Sequence, residues 1–164
     1  MNIAHWWKKE RAIRAADCWI KKGNLDNALI QIENAIKDCP GNVDLLIQKT
    51  WMLLDLKQFK KAMDAVQEGI ALKPNHGIFH MLHGEILYAA AQYEEAKKAL
   101  HHALEISGDN LRIEYHLGLV YVALGDMSKA AQYFESSIRY DKSLVQSRLL
   151  AMAERYMFEQ KTKQ

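Results

Sequence analysis

The chain has 164 residues, of which 49% are hydrophobic and 26% charged, a composition typical of a globular protein and too apolar for a disordered one. Its 22 basic and 20 acidic residues leave a net charge of +2, which lacks the clustered basic excess of a nucleic-acid-binding surface. Charged residues lie close to the start and no window approaches about 18 uninterrupted apolar residues, so we expect a cytoplasmic protein with neither an export signal nor a membrane anchor.

Residues 1–8 are predicted to extend the first helix towards the N-terminus, and they contain the adjacent tryptophans Trp6 and Trp7. One interpretation is that these rings cover the open end of the first structural unit. The other is that they anchor a partner protein or a second copy of the chain. The sequence leaves both open.

The next residues repeat one pattern every 34 positions, and they divide without insertions into units 9–42, 43–76, 77–110 and 111–144. A fixed period of this length is typical of a solenoid built from stacked units. The positions that keep the register fall into three sets. They are the small residues Ala28, Ala62, Ala96 and Ala130, the turn residues Gly23, Lys57, Ala91 and Gly125, and the bulky residues Ile32, Val66, Leu100 and Phe134.

Each unit is predicted to form two helices. The first ends at the turn position, where a glycine adopts the left-handed backbone that terminates a helix. The second begins near Asp26, Lys60, Glu94 or Ser128 and ends before Pro40, Pro74, Gly108 or Lys142. Signals for strands are absent, so the fold class is all-α. Gly84 and Gly118, facing Ala96 and Ala130, are expected to let the two helices of a unit cross closely.

Residues 145–164 read as one more amphipathic helix with a polar tail. Leu149, Leu150 and Tyr156 would pack inward, which favours a helix that caps the last unit. Docking of a partner on this helix is the alternative.

The fourth unit carries Leu117, Gly118, Tyr121, Ala130 and Phe134, and the third repeats part of this pattern. These residues and the 34-residue period resemble the tetratricopeptide repeat (TPR) family. The resemblance implies an α-solenoid of four TPR helix-turn-helix hairpins with a C-terminal capping helix. Lys49 and His83 depart from the family pattern, which is usually apolar at these positions.

The resemblance also implies that the first helix of each unit lines a concave groove. The candidate groove residues are Ile13, Asp17, Ile20, Asp44, Ile47, Trp51, Leu54, Asp55, Met81, Glu85, Tyr88, Tyr115, Leu119 and Val122. Spacings of three, four and seven place each set on one helix face. The set is apolar and acidic, so we expect a protein ligand, extended or helical, with an apolar face and some basic residues. The alternatives are that these residues pack more internally than their spacing suggests, or that the chain's own N-terminus fills the groove.

TPR proteins that grip the carboxyl terminus of heat-shock proteins use Lys and Asn, then Asn, then Lys and Arg in successive units. The matching positions here are Ile13 and Asp17, then Gln48, then Ile78 and Leu82. Starting one unit later gives Ile47 and Trp51, then Leu82, then Arg112 and His116. Neither register rebuilds the clamp, so we do not expect this role.

We expect no metal, cofactor or catalytic site. His76, His80 and His83 could share a helix face, but neither a cysteine pair nor an HExxH motif accompanies them. No phosphate-binding loop or nucleophile–base pair is recognisable. Without an export signal, Cys18 and Cys39 are expected to be reduced thiols.

The leading functional hypothesis is a non-catalytic adaptor or scaffold that binds another protein in the groove. One alternative is a secretion-type TPR chaperone that shields an apolar segment of a client. The other is a homo-oligomeric structural subunit assembled through Trp6 and Trp7 or through the groove.

Overall fold

The computed structural model describes residues 3–137, with side chains from Trp7 onwards. All of the regular elements in this range are helices. In chain order they are α1 (Ile3–Lys21), α2 (Leu25–Asp38), α3 (Val43–Asp55), α4 (Phe59–Leu72), α5 (Gly77–Ala89), α6 (Tyr93–Ser107), α7 (Leu111–Leu124) and α8 (Met127–Ser137). The predicted all-α class is therefore confirmed. The predicted capping helix at 145–164 and the end of the fourth unit lie outside the described residues.

The helices form four hairpins that stack in chain order. Each odd-numbered helix packs antiparallel to the even-numbered helix that follows it, and α2, α4 and α6 each pack against the first helix of the next hairpin. The first helices also contact one another, α3 with α5 and α5 with α7. The second helices of neighbouring hairpins approach less closely within the described range, so the layer of first helices is the concave side of the solenoid.

All four predicted turn positions adopt the left-handed backbone conformation. Gly23 has φ of 71° and Gly125 has φ of 82°, while the non-glycine residues Lys57 and Ala91 have φ of 56° and 59°. The alanine and lysine side chains are sterically disfavoured in this region. The turn geometry is therefore imposed by the packing of the hairpin, and at two of the four positions the chain adopts it without glycine.

The interior of each hairpin is built from the residues that repeat. Ala28, Ala62, Ala96 and Ala130 are fully buried, and so are Ile32, Val66, Leu100 and Phe134. A Cβ added at Gly84 would lie 2.5 Å from Leu100 Cγ and 3.4 Å from the backbone oxygen of Ala96. At Gly118 the same atom would lie 2.6 Å from two carbons of the Phe134 ring. The close crossings predicted at the two glycines are present.

The two departures from the family pattern are accommodated at the edge of the core. Lys49 reaches Glu33 of α2, with 3.4 Å between Nζ and Oε1. His83 is half-buried, and burial followed by the charge of His80 lowers the pKa of its imidazole. Among residues 3–137, no helix combines the length and apolar character that crossing a membrane would need.

Candidate functional site

The concave groove is the surface formed by α1, α3, α5 and α7. The structure places most of the candidate groove residues at this surface with some of their area accessible. Asp17, Ile20, Asp44 and Asp55 are exposed. Half-buried members are Ile13, Ile47, Trp51, Leu54, Glu85, Tyr88, Leu119 and Val122. Residues 3–8 continue α1 as a helix, so the described N-terminal residues do not fold back into the groove.

Two of the candidate residues do not offer the exposed apolar surface that their helical spacing predicts. Met81 is 3% exposed and Tyr115 is 6% exposed, and both belong to the core shared by the third and fourth hairpins. The Tyr115 ring packs against Phe134 of α8, with 5.7 Å between centroids. Helical spacing gives the direction of a side chain but not the distance to the next helix, and here the neighbouring hairpins close over both residues.

A charged network crosses the middle of the groove from α3 to α7. The guanidinium carbon of Arg112 lies 3.6 Å from the centre of the Trp51 ring, which is the geometry of a cation–π contact. Nε of Arg112 lies 3.8 Å from Oε1 of Glu85 on α5. The same carboxylate contacts Nε2 of His116, one turn further along α7. Arg112 therefore covers part of Trp51 and is held over the ring by Glu85.

The acidic residues of the groove differ in whether the chain itself neutralises them. Asp44 pairs with Lys9 of α1, with 2.7 Å between Nζ and Oδ2, and Glu85 pairs with α7. Asp17 and Asp55 are exposed and make no ion pair within the described part of the chain. Partial burial and the charge of Glu85 raise the pKa of the Asp55 carboxyl, and Arg112 opposes this shift. Asp55 therefore leaves an exposed carboxylate at the C-terminal end of α3, whereas Asp17 on α1 lies one helical turn before the exposed Lys21.

A pocket of about 190 Å³ opens at the other edge of the groove, where α3, α5 and α7 begin. Its walls are Ile47 and Trp51 from α3, Ile78 and Met81 from α5, and Ile113 from α7. Ser107, Asn110 and Arg112 complete the rim. Ile78 is 37% exposed, whereas Met81 and Ile113 are buried. Ile78 is therefore the most accessible apolar wall of the pocket.

The pocket and the charged network were not recognisable in the sequence. The pattern does place Arg112 and Ile78 on the groove face. It cannot show that Arg112 of the fourth hairpin reaches past the third hairpin to Trp51 of the second. The pairing of Lys9 with Asp44 likewise joins residues of different units. The groove is consequently less acidic than the residue types alone suggest.

Of the two N-terminal tryptophans, the structure describes the side chain of Trp7. Trp7 is 60% exposed on α1, and the side chain of Trp6 lies outside the described residues. The choice between a covering role and an anchoring role therefore stays as the sequence left it.

The histidines cluster without forming a ligand set. His80 and His102 meet edge to face with ring centroids 4.5 Å apart, and Nε2 of His80 lies 2.6 Å from the backbone oxygen of Pro74. Within residues 7–137, no three His, Cys, Asp or Glu side chains converge as a metal site would require. Cys18 is exposed and Cys39 is buried.

Comparison with known proteins places this architecture among repeat proteins. Residues 78–143 match the family model described as tetratricopeptide repeat. The chain is 27% identical over 137 residues to the type IV pilus assembly protein PilF of Pseudomonas aeruginosa, a match that covers 76% of this chain and 50% of PilF. The chain spans half of that relative's length and a fifth or less of the other two curated relatives it matches.

Two solved structures show the same fold. A thermophilic TPR protein of Thermus thermophilus superposes with a TM-score of 0.81 at 20% identity, over 90% of this chain and 82% of that one. The first TPR of Spaghetti (RPAP3), bound to the HSP90 peptide SRMEEVD, superposes with a TM-score of 0.63 at 23% identity, over 74% of this chain and 93% of that one.

Proposed function

Because the chain is a tetratricopeptide-repeat protein, we propose that it is a non-catalytic adaptor or scaffold that binds a segment of another protein in the concave groove. The observation that carries this proposal is the row of accessible apolar side chains on the first helices. Ile20 is 40% exposed, and Ile47, Trp51, Leu54, Tyr88, Leu119 and Val122 are half-buried on the same layer. Accessible apolar side chains gathered on one layer of helices are typical of interaction sites.

The chemistry of the groove favours a ligand with an apolar face and basic residues. Apolar side chains of the ligand would replace water on the residues that line the groove, and each Leu-, Ile- or Phe-type anchor would contribute about 1.5–3 kcal/mol before ordering costs. Asp17 and Asp55 are exposed carboxylates without an ion pair in the described part of the chain, and a Lys or Arg of the ligand would meet them. An affinity in the micromolar range is consistent with two or three such anchors.

An acidic peptide terminus fits this groove less well. The neighbour bound to the HSP90 peptide holds a segment that ends in Glu-Glu-Val-Asp. In this chain the basic side chains nearest the centre of the groove are Arg112 and His116, and both already contact Glu85. A ligand carboxylate would have to displace Glu85 from these partners, and the displaced charge would remain half-buried beside it.

The two alternative functions, a secretion-type chaperone and a homo-oligomeric subunit, predict different experimental results. A secretion-type chaperone would bind one client, and the client would become unstable when this protein is deleted. A homo-oligomeric subunit would use the exposed Trp7 or the groove itself, and its molar mass would change with concentration. The apolar and acidic groove supports the adaptor and chaperone roles equally, and the similarity to a pilus assembly protein supports a role in the assembly of other proteins.

The adaptor proposal is tested by affinity capture from the source cell with surface variants. Ile20→Glu with Ile78→Glu places charges on two exposed positions of the groove. The matched control is Ile30→Glu with Leu72→Glu, two similarly exposed positions on the second helices α2 and α4. Wild type and both double variants should keep their helicity, and the groove variant alone should lose the captured partner. Equal capture by wild type and groove variant would refute the groove as the binding surface.

A further inference from the structure

We propose that the pocket of Ile47, Trp51, Ile78, Met81 and Arg112 is the anchor subsite of the groove, and that it takes one bulky apolar side chain from a partner segment that carries Lys or Arg close to that residue. This inference rests on the proposed function, because it names the feature of the ligand that the groove recognises. It adds a position, a side-chain class and a charge to the general expectation of a protein ligand.

The shape and lining of the pocket select a single large apolar side chain. Its volume of about 190 Å³ is too small for a folded element but is on the scale of one Phe, Leu or Met side chain. Its walls are aliphatic and aromatic, and its polar atoms come only from the rim. Ile78 is accessible at the wall, so an inserted side chain would remove apolar surface from water on both molecules.

The aromatic wall is held in place before any ligand arrives. Trp51 lies beneath the guanidinium of Arg112 at 3.6 Å, and Arg112 is in turn held by Glu85 at 3.8 Å. Glu85 is itself only 10% exposed and contacts His116. A ring fixed from three helices loses little freedom on binding, which increases the affinity that a given contact area provides.

The charges around the pocket favour a basic neighbour for the anchor residue. Two cations that border the pocket side of the groove are paired within the chain, Lys9 with Asp44 and Arg112 with Glu85. Asp55 is exposed and lies four residues after Trp51, which places it one helical turn, about 6 Å, from the aromatic wall. A Lys or Arg within a few positions of the anchor residue would reach this carboxylate.

The state of Asp55 agrees with this arrangement. Partial burial and the charge of Glu85 raise the pKa of its carboxyl against the opposing charge of Arg112, so ionising Asp55 costs more than ionising a solvated aspartate. A ligand cation beside Asp55 would relieve this penalty, whereas an acidic ligand residue would increase it. The occupant is therefore a basic and apolar segment of a partner rather than an acidic one.

The experiment selects peptides of unknown sequence and then tests where they bind. A library of random 12-residue peptides is displayed and selected against the full chain, and the enriched peptides are measured by fluorescence anisotropy. We expect enriched peptides to share one bulky apolar residue with Lys or Arg within about four positions. Replacing that apolar residue by Ala should weaken binding by about tenfold or more.

Variants of the protein place the peptide in the pocket. Ile78→Arg should weaken binding by about tenfold or more, whereas Ile30→Arg, an exposed isoleucine of α2, should leave it unchanged. Asp55→Asn should weaken binding several-fold at low salt and less at high salt, and the matched carboxylate change Asp64→Asn on α4 should have no effect.

The outcomes separate this inference from the function on which it rests. Peptides that lose affinity with Ile20→Glu but keep it with Ile78→Arg would overturn the pocket and leave the groove intact. Peptides rich in Asp or Glu would overturn the charge assignment, and peptides indifferent to both variants, or no enrichment, would overturn both proposals. A wild-type dimer that Ile78→Arg converts to a monomer would mean that a second copy fills the pocket, which also overturns the inference.

Discussion

The turn between the helices of the third hairpin contains a strained alanine that glycine should relieve. Ala91 has φ of 59°, a conformation that costs an L-residue about 1–2 kcal/mol, and glycine avoids this cost. Glycine also gives the unfolded chain more freedom, which offsets about 0.4–1 kcal/mol of the gain. Ala91→Gly should therefore raise the free energy of unfolding by about 0.5–1 kcal/mol. For a chain of this size that corresponds to a rise in Tm of about 1–4 °C.

The equivalent position of the fourth hairpin provides the reverse experiment. Gly125 has φ of 82° and an added Cβ would meet no atom within 4 Å, so Gly125→Ala isolates the backbone cost from packing. By the same two terms with the sign reversed, it should destabilise by about 0.5–1 kcal/mol. Urea unfolding followed by circular dichroism at a constant m value measures both changes. A loss of stability in Ala91→Gly, or no loss in Gly125→Ala, would refute the claim that turn geometry is imposed by the hairpin.

Three further changes test the packing and the titrating groups. Gly118→Ala should lower the free energy of unfolding in urea by about 1 kcal/mol, because overpacking against the buried Phe134 ring exceeds the gain in helix propensity. An unchanged urea midpoint would contradict the close crossing of α7 and α8 at Gly118. Burial and the charge of His80 lower the pKa of His83, so the unfolded chain takes up the proton first and the stability of the fold is lost as pH falls below about 6.5. His83→Leu should therefore flatten the dependence of Tm on pH between pH 7 and 5.5. Parallel Tm curves for wild type and variant would count against this role of His83. The pKa of Asp55 is raised by burial and by the charge of Glu85, so the folded state holds the carboxyl proton more tightly and stability falls as pH rises above the ordinary pKa of 3.8. Asp55→Asn should therefore have a higher Tm than wild type at pH 7, and the difference in Tm should narrow towards pH 3.8. A difference in Tm that stays constant with pH would exclude the titration of Asp55 as its cause.

The fold could be predicted from the sequence because its determinants are local and repeated. Ala96 and Ala130 are members of a constant 34-residue register, and a small residue at a helix crossing has the same consequence in every unit. The helix ends were predicted to within a residue or two, since Pro40 and Pro74 interrupt the hydrogen-bond pattern wherever they occur. The second helices begin one residue earlier than predicted; Asn24, for example, caps α2 by accepting a hydrogen bond from the backbone N–H of Asn27.

The groove could be predicted only in part because it depends on distances between units. The first helices do line it, but Met81 and Tyr115 are buried where α5, α7 and α8 close together. The contact of Arg112 with Trp51 joins residues 61 positions apart in sequence, and no periodicity specifies such a pair. Net charge along the groove follows from these pairings, so residue types alone overestimated how acidic it is.

Occupation of the concave groove by a partner is tested most directly by photo-cross-linking in the source cell. A benzophenone amino acid is placed at Ile20 or Ile78 in the groove, and at Ile30 or Leu72 on the second helices; all four positions are exposed. We expect adducts to another protein from the two groove positions, with mass spectrometry mapping them to an apolar segment with basic residues. Adducts from Ile30 or Leu72 with none from Ile20 or Ile78 would contradict the account.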